Sequence, residues 1–272
     1  MKNRLSITAI EEGAATAPLV LRGDLITSIK SAASLGYDAL EIHIIDAVSF
    51  PTGEVRKALQ ENNICISSIV AGQIFTRRHL CITSSEPENR DAAMAELKAY
   101  IDIAAALRAA DGIVIGWIKG NHPEGDRQEF DALLAGQLGI LADYAADKGQ
   151  RILIEVINRY ETNLFNTAAE LKAFIQKWGL QNCYIHLDTF HMNIDEADMA
   201  EAVRTAGKDL GYFHIADSNR LAPGLGHIDF YPIFAALEET GYQGSISLEC
   251  IPQPDSISAA KAAQKFFSRK FS

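Results

Sequence analysis

The chain has no apolar run near the roughly 18 residues of a membrane span, so no bilayer partner is expected. Its four cysteines, Cys65, Cys81, Cys183 and Cys250, never fall in C-x-x-C spacing. Without that spacing, neither a zinc ribbon nor a dithiol redox motif is indicated. Cys65, Cys183 and Cys250 sit in apolar, strand-like runs and read as buried free thiols of a reducing compartment. Positive charge is also short: 25 Lys and Arg face 35 Asp and Glu, for a net charge of −10. Such a surface repels phosphate backbones, which argues against a nucleic-acid partner. No G-x-G-x-x-G follows the first strand-like run, so the dinucleotide crevice of an open sheet lacks its signature. The opening MKNRLSITAIEEGAA has too short an apolar stretch, broken by Glu11 and Glu12, for a secretory leader. A cytoplasmic location is expected.

What is present is an alternation. Short β-branched runs at 5–10, 39–44, 65–70, 112–118, 152–158, 183–189, 211–216 and 244–249 are separated by helical patterns. The helical segments are 24–35, 53–62, 87–109, 126–148, 167–178, 195–207, 230–240 and 256–269. Asp24 and Gly36 read as the caps of the first helix. Thr167 with Glu170 three residues on forms a capping-box pattern. The 272 residues suit one large α/β barrel or two small domains. Eight β-α units without a linker, low-complexity segment or strong repeat favour a single (β/α)8 barrel domain over residues 1–272.

Four of the last β-type runs deliver a metal-ligating side chain. They are Glu155 in ILIEVIN, Asp188 in YIHLDT, His214 in GYFHIA and Glu249 in SISLE. A barrel places its site at the carboxyl ends of the strands, where all four fall. Three carboxylates and one imidazole make a mostly hard donor set, suited to Mn²⁺ first, with Mg²⁺ or Co²⁺ also accepted. Two of the four are Glu, and Glu155 and Glu249 come from the fifth and eighth barrel strands. A ketone held between them meets a base on each side. Removal of the neighbouring carbon-bound proton gives an enediolate stabilised by the ion. A proton returned on the opposite face inverts that carbon; one returned to the adjacent carbon interconverts an aldose and a ketose. The same barrel also serves abasic-site endonucleases, but those need several metals and a basic groove, and this chain is acidic.

The stretches EVINRYETNLFNT (155–167), LDTFHMNIDE (187–196), FHIADSNRLAPGLGHIDF (213–230) and SLEC (247–250) resemble the ketose 3-epimerase group of the xylose isomerase-like barrel superfamily. That group includes D-tagatose and D-psicose 3-epimerases. LRGDL, GYDALEI and AGQ in the first half look similar to its 5-keto-L-gluconate epimerase branch. The resemblance implies that Glu155, Asp188, His214 and Glu249 bind one divalent metal and that Glu155 and Glu249 are also the acid/base pair. It implies that His191 and Arg220 hold substrate oxygens, and that Glu161 bonds the substrate or positions His191. It further implies a small keto-sugar or keto-sugar acid substrate such as 5-keto-L-gluconate or D-tagaturonate, no organic cofactor, and a homodimer or homotetramer. A hydroxypyruvate-type or aldose-ketose isomerase is the alternative. The loop after the first strand, TAIEEGAA, lacks the aromatic residue that the tagatose enzymes carry there.

Other rim residues have two readings each. Gln73, Phe75 and Trp117 either wall a sugar pocket or cap the barrel. Arg77, Arg78 and His79 are a solvated cluster or an anion dock. His186 shares a strand face with Asp188 and reads as a structural residue of the barrel interior. His227, between glycines and near the rim, is a loop residue or a partner contact.

Overall fold

Each expected β-type run becomes a strand buried along most of its length, as befits a parallel sheet covered on both faces. The computed structural model describes residues 3–123, 125 and 127–270. In chain order the first elements are β1 (Leu5–Ile10), β2 (Leu21–Arg22), α1 (Leu25–Ser34), β3 (Ala39–His43), α2 (Thr52–Glu61) and β4 (Cys65–Val70). There follow α3 (Gly72–Arg78), α4 (Pro87–Leu107), β5 (Gly112–Ile115), α5 (Arg127–Asp147), β6 (Ile152–Glu155), α6 (Ala168–Trp178) and β7 (Cys183–Asp188). The chain ends with α7 (Thr189–Asp195), α8 (Met199–Ala206), β8 (Leu210–Ile215), α9 (Phe230–Glu239), β9 (Ile246–Leu248) and α10 (Ser256–Lys270).

The strands pair in parallel in the order β1-β3-β4-β5-β6-β7-β8-β9, and β9 closes back on β1. This is a closed eight-stranded barrel ringed by helices. The two-residue β2 adds to the carboxyl end of β1, Ala9 beside Leu21 and Ile10 beside Arg22.

Helix boundaries follow the chemistry read from the sequence. Asp24 accepts the Thr27 amide at 2.7 Å, and Thr167 and Glu170 exchange the two bonds of a capping box. Gly36 takes a φ of +82°, which ends α1 without a Cβ clash. The expected helix start at 126 lies outside the described residues.

Three expected strands are too long. The runs 112–118, 152–158 and 244–249 stop at Ile115, Glu155 and Leu248. After Ile115 the chain makes a 3-10 turn over Trp117–Lys119, and after Glu155 it leaves the sheet for a loop. Both residual segments stay apolar because Ile118 and Val156 pack into the hydrophobic core, so hydrophobicity alone overextends them. Two seven-residue helices, α3 and α7, stand instead directly after β4 and β7, and the expected helix 195–207 begins only at Met199, capped by Asp198.

Branched aliphatic residues usually fill a barrel interior. Here one side is polar. The Ser6 hydroxyl meets that of Ser67 at 2.7 Å, Ser67 meets the Tyr212 hydroxyl at 2.8 Å, and Tyr212 donates to Glu41 at 2.7 Å. Val70, Val114, Leu153 and Tyr212 pack as a separate small cluster. This chain crosses from β1 through β4 and β8 to β3 and carries polarity up to the barrel mouth.

Candidate active site

Glu155 is the last residue of β6, Asp188 the last of β7, His214 the penultimate residue of β8, and Glu249 the first after β9. Strand pairing sets Asp188 opposite His214, and His214 opposite Ser247, so the ends lie level. The four side chains each offer one ligand atom, and these atoms all lie within 4.8 Å of one another. The centre of the group is Nδ1 of His214. It stands 3.3 Å from Glu249 Oε2, 3.7 Å from Asp188 Oδ2 and 4.0 Å from Glu155 Oε1. Yet it has no hydrogen-bond partner and is buried.

The other ring nitrogen explains that orientation. Nε2 of His214 donates to Oε2 of Glu41 at 2.7 Å. Glu41 is fully buried on β3 and also takes the Tyr212 hydroxyl and, at 3.0 Å, Nε2 of His43. Burial opposes its charge, but His214 and His43 hold the carboxyl well below its usual range. Burial likewise opposes a charged His214, but Glu41 and Glu249 outweigh it and lift the imidazole well above its ordinary value.

These donors fit a divalent ion. Metal bonds of about 2.0–2.2 Å place ligand atoms roughly 3–4.3 Å apart, which matches the separations around Nδ1. An unpartnered buried nitrogen facing three carboxylates is also what a cation would relieve. Among the described residues a second acidic group, Glu41, His43 and Glu249, and a third, Glu155, His186 and His214, satisfy the same proximity. Glu41 and His43 already bond each other.

Glu155 and Glu249 differ in surroundings. Burial, then the charge of Glu249, pushes the Glu155 carboxyl up to about 8. Gly116 lies against it: a Cβ there would stand 2.6 Å from Glu155 Oε2. Glu249 is held by Arg220 through a short charged bond, and its Oε1 is 4.0 Å from His43.

The expected substrate contacts divide. Arg220 reaches the centre, with Nη1 2.5 Å from Asp188 Oδ2 and its guanidinium over the Phe190 ring at 4.6 Å. His191 sits with Nε2 3.9 Å from Glu155 Oε1. Its Nδ1 is 2.7 Å from the Asn158 amide nitrogen, and Asn158 in turn donates to Glu161 at 2.8 Å. Burial drives the His191 imidazole down to about 3, so the ring is neutral and presents an Nε2–H toward Glu155. Glu161 is thus linked to His191 through Asn158. Gln73 lies on α3 with its amide oxygen taken by Arg77, and Trp117 stands on the 3-10 turn, 37% exposed. No hydrogen bond joins either to the four central residues among the described residues.

Arg77 also bonds the Glu12 carbonyl, and Arg78 pairs with Glu96 and Asp46. His186 is fully buried with neither ring nitrogen bonded, and its ring meets that of His214 edge-on at 4.1 Å.

Glu41, Asn158 and Lys119 were missed from the sequence. Glu41 carried one readable signal, a carboxylate inside the apolar run ALEIH. Lys119 is fully buried, and its ammonium donates to the Gly116 carbonyl at 3.1 Å.

The pattern of the xylose isomerase-like TIM barrel family matches residues 29–270, and the chain belongs to that family. Within it the chain sits with the ketose 3-epimerase group. It is 38% identical over 223 residues to the L-ribulose 3-epimerase of Methylomonas sp., covering 82% of this chain and 77% of that one. It is 34% identical over 231 residues to the D-psicose 3-epimerase of Agrobacterium fabrum, covering 81% and 77%. The crystal structure of a D-allulose 3-epimerase from Methylomonas sp. in complex with D-allulose has a TM-score of 0.81, 32% identity, and covers 98% of this chain and 96% of that one.

Proposed function

We propose that this chain is a divalent-metal-dependent epimerase that inverts the carbon beside the ketone of a free, uncharged ketose. The observation that carries the reading is the convergence of Glu155 and Glu249, from different strands, on the unpartnered Nδ1 of His214.

Glu155, Asp188, His214 and Glu249 would hold the ion. When bound, it would polarise the ketone and its neighbouring hydroxyl and offset the negative charge that develops on them. Glu155 takes or returns the carbon-bound proton on one side. Glu249 does the same on the other, so the proton leaves one face and arrives on the opposite one. Neutral His191 offers its Nε2–H to a substrate oxygen beside Glu155. Arg220 fixes Asp188 and Glu249 relative to each other and places its guanidinium beside the substrate.

Charge favours a neutral ketose over a keto-sugar acid. Among the described residues, these arginines near the site are engaged: Arg77 with Glu12 and Gln73, Arg78 with Glu96 and Asp46, Arg159 with Asp195, and Arg220 with Asp188 and Glu249. Lys119 is buried against a carbonyl. A substrate carboxylate would have to displace one of these pairs, and at Arg220, whose pairs with Asp188 and Glu249 are buried, that would leave desolvated, unpaired charge. The names of the similar enzymes, which act on L-ribulose, D-psicose and D-allulose, point the same way.

The test is turnover of a panel holding D-psicose, D-fructose, D-tagatose, L-ribulose, 5-keto-L-gluconate, D-tagaturonate and hydroxypyruvate, with Mn²⁺ and after chelation. Metal-dependent formation of a 3-epimer from a neutral ketose supports the reading. Preference for either keto acid overturns the substrate class, and an aldehyde product overturns the epimerase in favour of the isomerase.

A further inference from the structure

The segment DSNRLAPGLGH, 217–227, contains more polar residues than the site uses. Only Arg220 reaches the acidic centre. The remaining polar side chains bond the loop itself. Asn219 spans it, accepting from the Leu221 amide at 3.1 Å and donating to the Leu225 carbonyl at 2.9 Å. The Ser218 hydroxyl meets His227 Nδ1 at 2.9 Å and accepts the His227 amide at 3.1 Å. His227 is therefore part of the loop's own framework.

The hub is Asp217. It is fully buried, and among the described residues no cationic side chain lies within 4.0 Å of it. A buried carboxylate without a counter-ion is costly unless amides take over. Here they do: Oδ1 accepts the Ser218 amide at 2.8 Å and the Ile228 amide at 3.1 Å, and Oδ2 accepts the Gly224 amide at 2.8 Å. Those donors span both ends and the middle of the loop. The two glycines follow from this winding. Gly224 has a φ of +89°, and any side chain on Gly226 would collide with the Asp217 carboxylate.

Arg220 sits at the apex. Its amide donates to the Asp217 carbonyl at 2.8 Å, and its own carbonyl accepts the Ile251 amide at 2.7 Å. Its φ is +61°, a left-handed conformation that a long side chain adopts only when its surroundings dictate it. The reward is the position of the guanidinium, which spans Asp188 and Glu249.

We propose that Asp217 is a positioning residue for the reaction, whose carboxylate winds residues 217–228 into a rigid bracket that holds Arg220 between Asp188 and Glu249. It touches neither substrate nor metal and acts through Arg220. The inference rests on the epimerase reading above for its consequence in turnover, but not for the bracket itself.

The test is a double-variant cycle on the Mn²⁺-loaded enzyme, with hydrogen exchange of segment 216–228 as a second readout. Asp217→Ala and Arg220→Ala are each expected to raise KM for the preferred ketose about 10-fold or more, the scale of a lost charged hydrogen bond. The double variant should be no worse than Arg220→Ala by more than about 2-fold, because both remove one unit. Asp217→Asn keeps the Oδ1 bonds and should fall between, and it carries the same cycle should Asp217→Ala fail to fold. Segment 216–228 should exchange faster in either variant while the barrel strands do not. Multiplying losses in the double variant, an unchanged KM, or unchanged exchange of the segment would each overturn the proposal. If the wild-type enzyme turns over none of the ketoses, the epimerase reading fails, and the exchange of the segment alone decides the bracket.

Discussion

Nε2 of His214 lies 2.7 Å from Oε2 of Glu41, while Nδ1 of the same ring faces three carboxylates with no bonded partner. One buried carboxylate thus selects which nitrogen is free to bind a cation. Glu41→Ala is expected to weaken Mn²⁺ binding about 10–100-fold, measured by titration calorimetry. Tyr212→Phe, which removes one donor to Glu41, should cost stability by about 1 kcal/mol and leave Mn²⁺ affinity closer to that of the wild type.

Metal binding should depend on pH with a fixed sign. Glu41 and Glu249 raise His214 well above its ordinary value against the effect of burial, so the metal-free ring carries a proton that an ion must displace. Mn²⁺ affinity should therefore rise with pH, by about tenfold per unit for each displaced proton, that of His214 and, below about pH 8, that of Glu155. A flat affinity from pH 6 to pH 8 in titrations at several pH values would contradict the protonated ring.

The two glutamates should each be indispensable. Glu155→Gln and Glu249→Gln are expected to lower kcat by about 10²–10⁴-fold, the range for loss of a general acid or base. Steady-state kinetics at saturating Mn²⁺ checks this. A Glu249→Gln enzyme with near-normal kcat would refute the two-base scheme.

Lys119 should lower the stability of the fold. Burial pulls its ammonium down to about 8, against the partial support of Glu155 and Glu161. The folded value lies below the unfolded one, so the unfolded chain binds more protons between them. The penalty is complete below about pH 8 and fades as pH rises toward the ordinary lysine value of roughly 10.4. At pH 7, Lys119→Met should melt higher, by roughly 2–4 °C per kcal/mol recovered. A lower melting temperature would show that the lysine is a net stabilising member of the core.

How much of this was readable from the residues differs by position. Glu155, Asp188, His214 and Glu249 stand out because each closes an apolar β run with a charge, and in a barrel all such closures meet at one rim. Glu41 shows only a weak version of that signal, since a carboxylate in the middle of a strand reads as a solvated face until the barrel closes over it. Lys119, in GWIKG, looks like an exposed turn residue, and only the packing of the turn buries it. The helices α3 and α7 span seven residues each, two turns at most, too few for a clear apolar period. The roles of Asn158 and Asp217 depend on loop geometry that no spacing encodes.

The most direct measurement is proton NMR of a neutral ketose incubated with the Mn²⁺-loaded enzyme in D₂O, the metal being chelated before recording. The two-glutamate account predicts that the 3-epimer appears with deuterium at C3, because a proton taken by one carboxylate is replaced on the opposite face by the other. Epimer formed with the original hydrogen kept in full at C3, or deuterium confined to a carbon on the far side of the ketone, would contradict it.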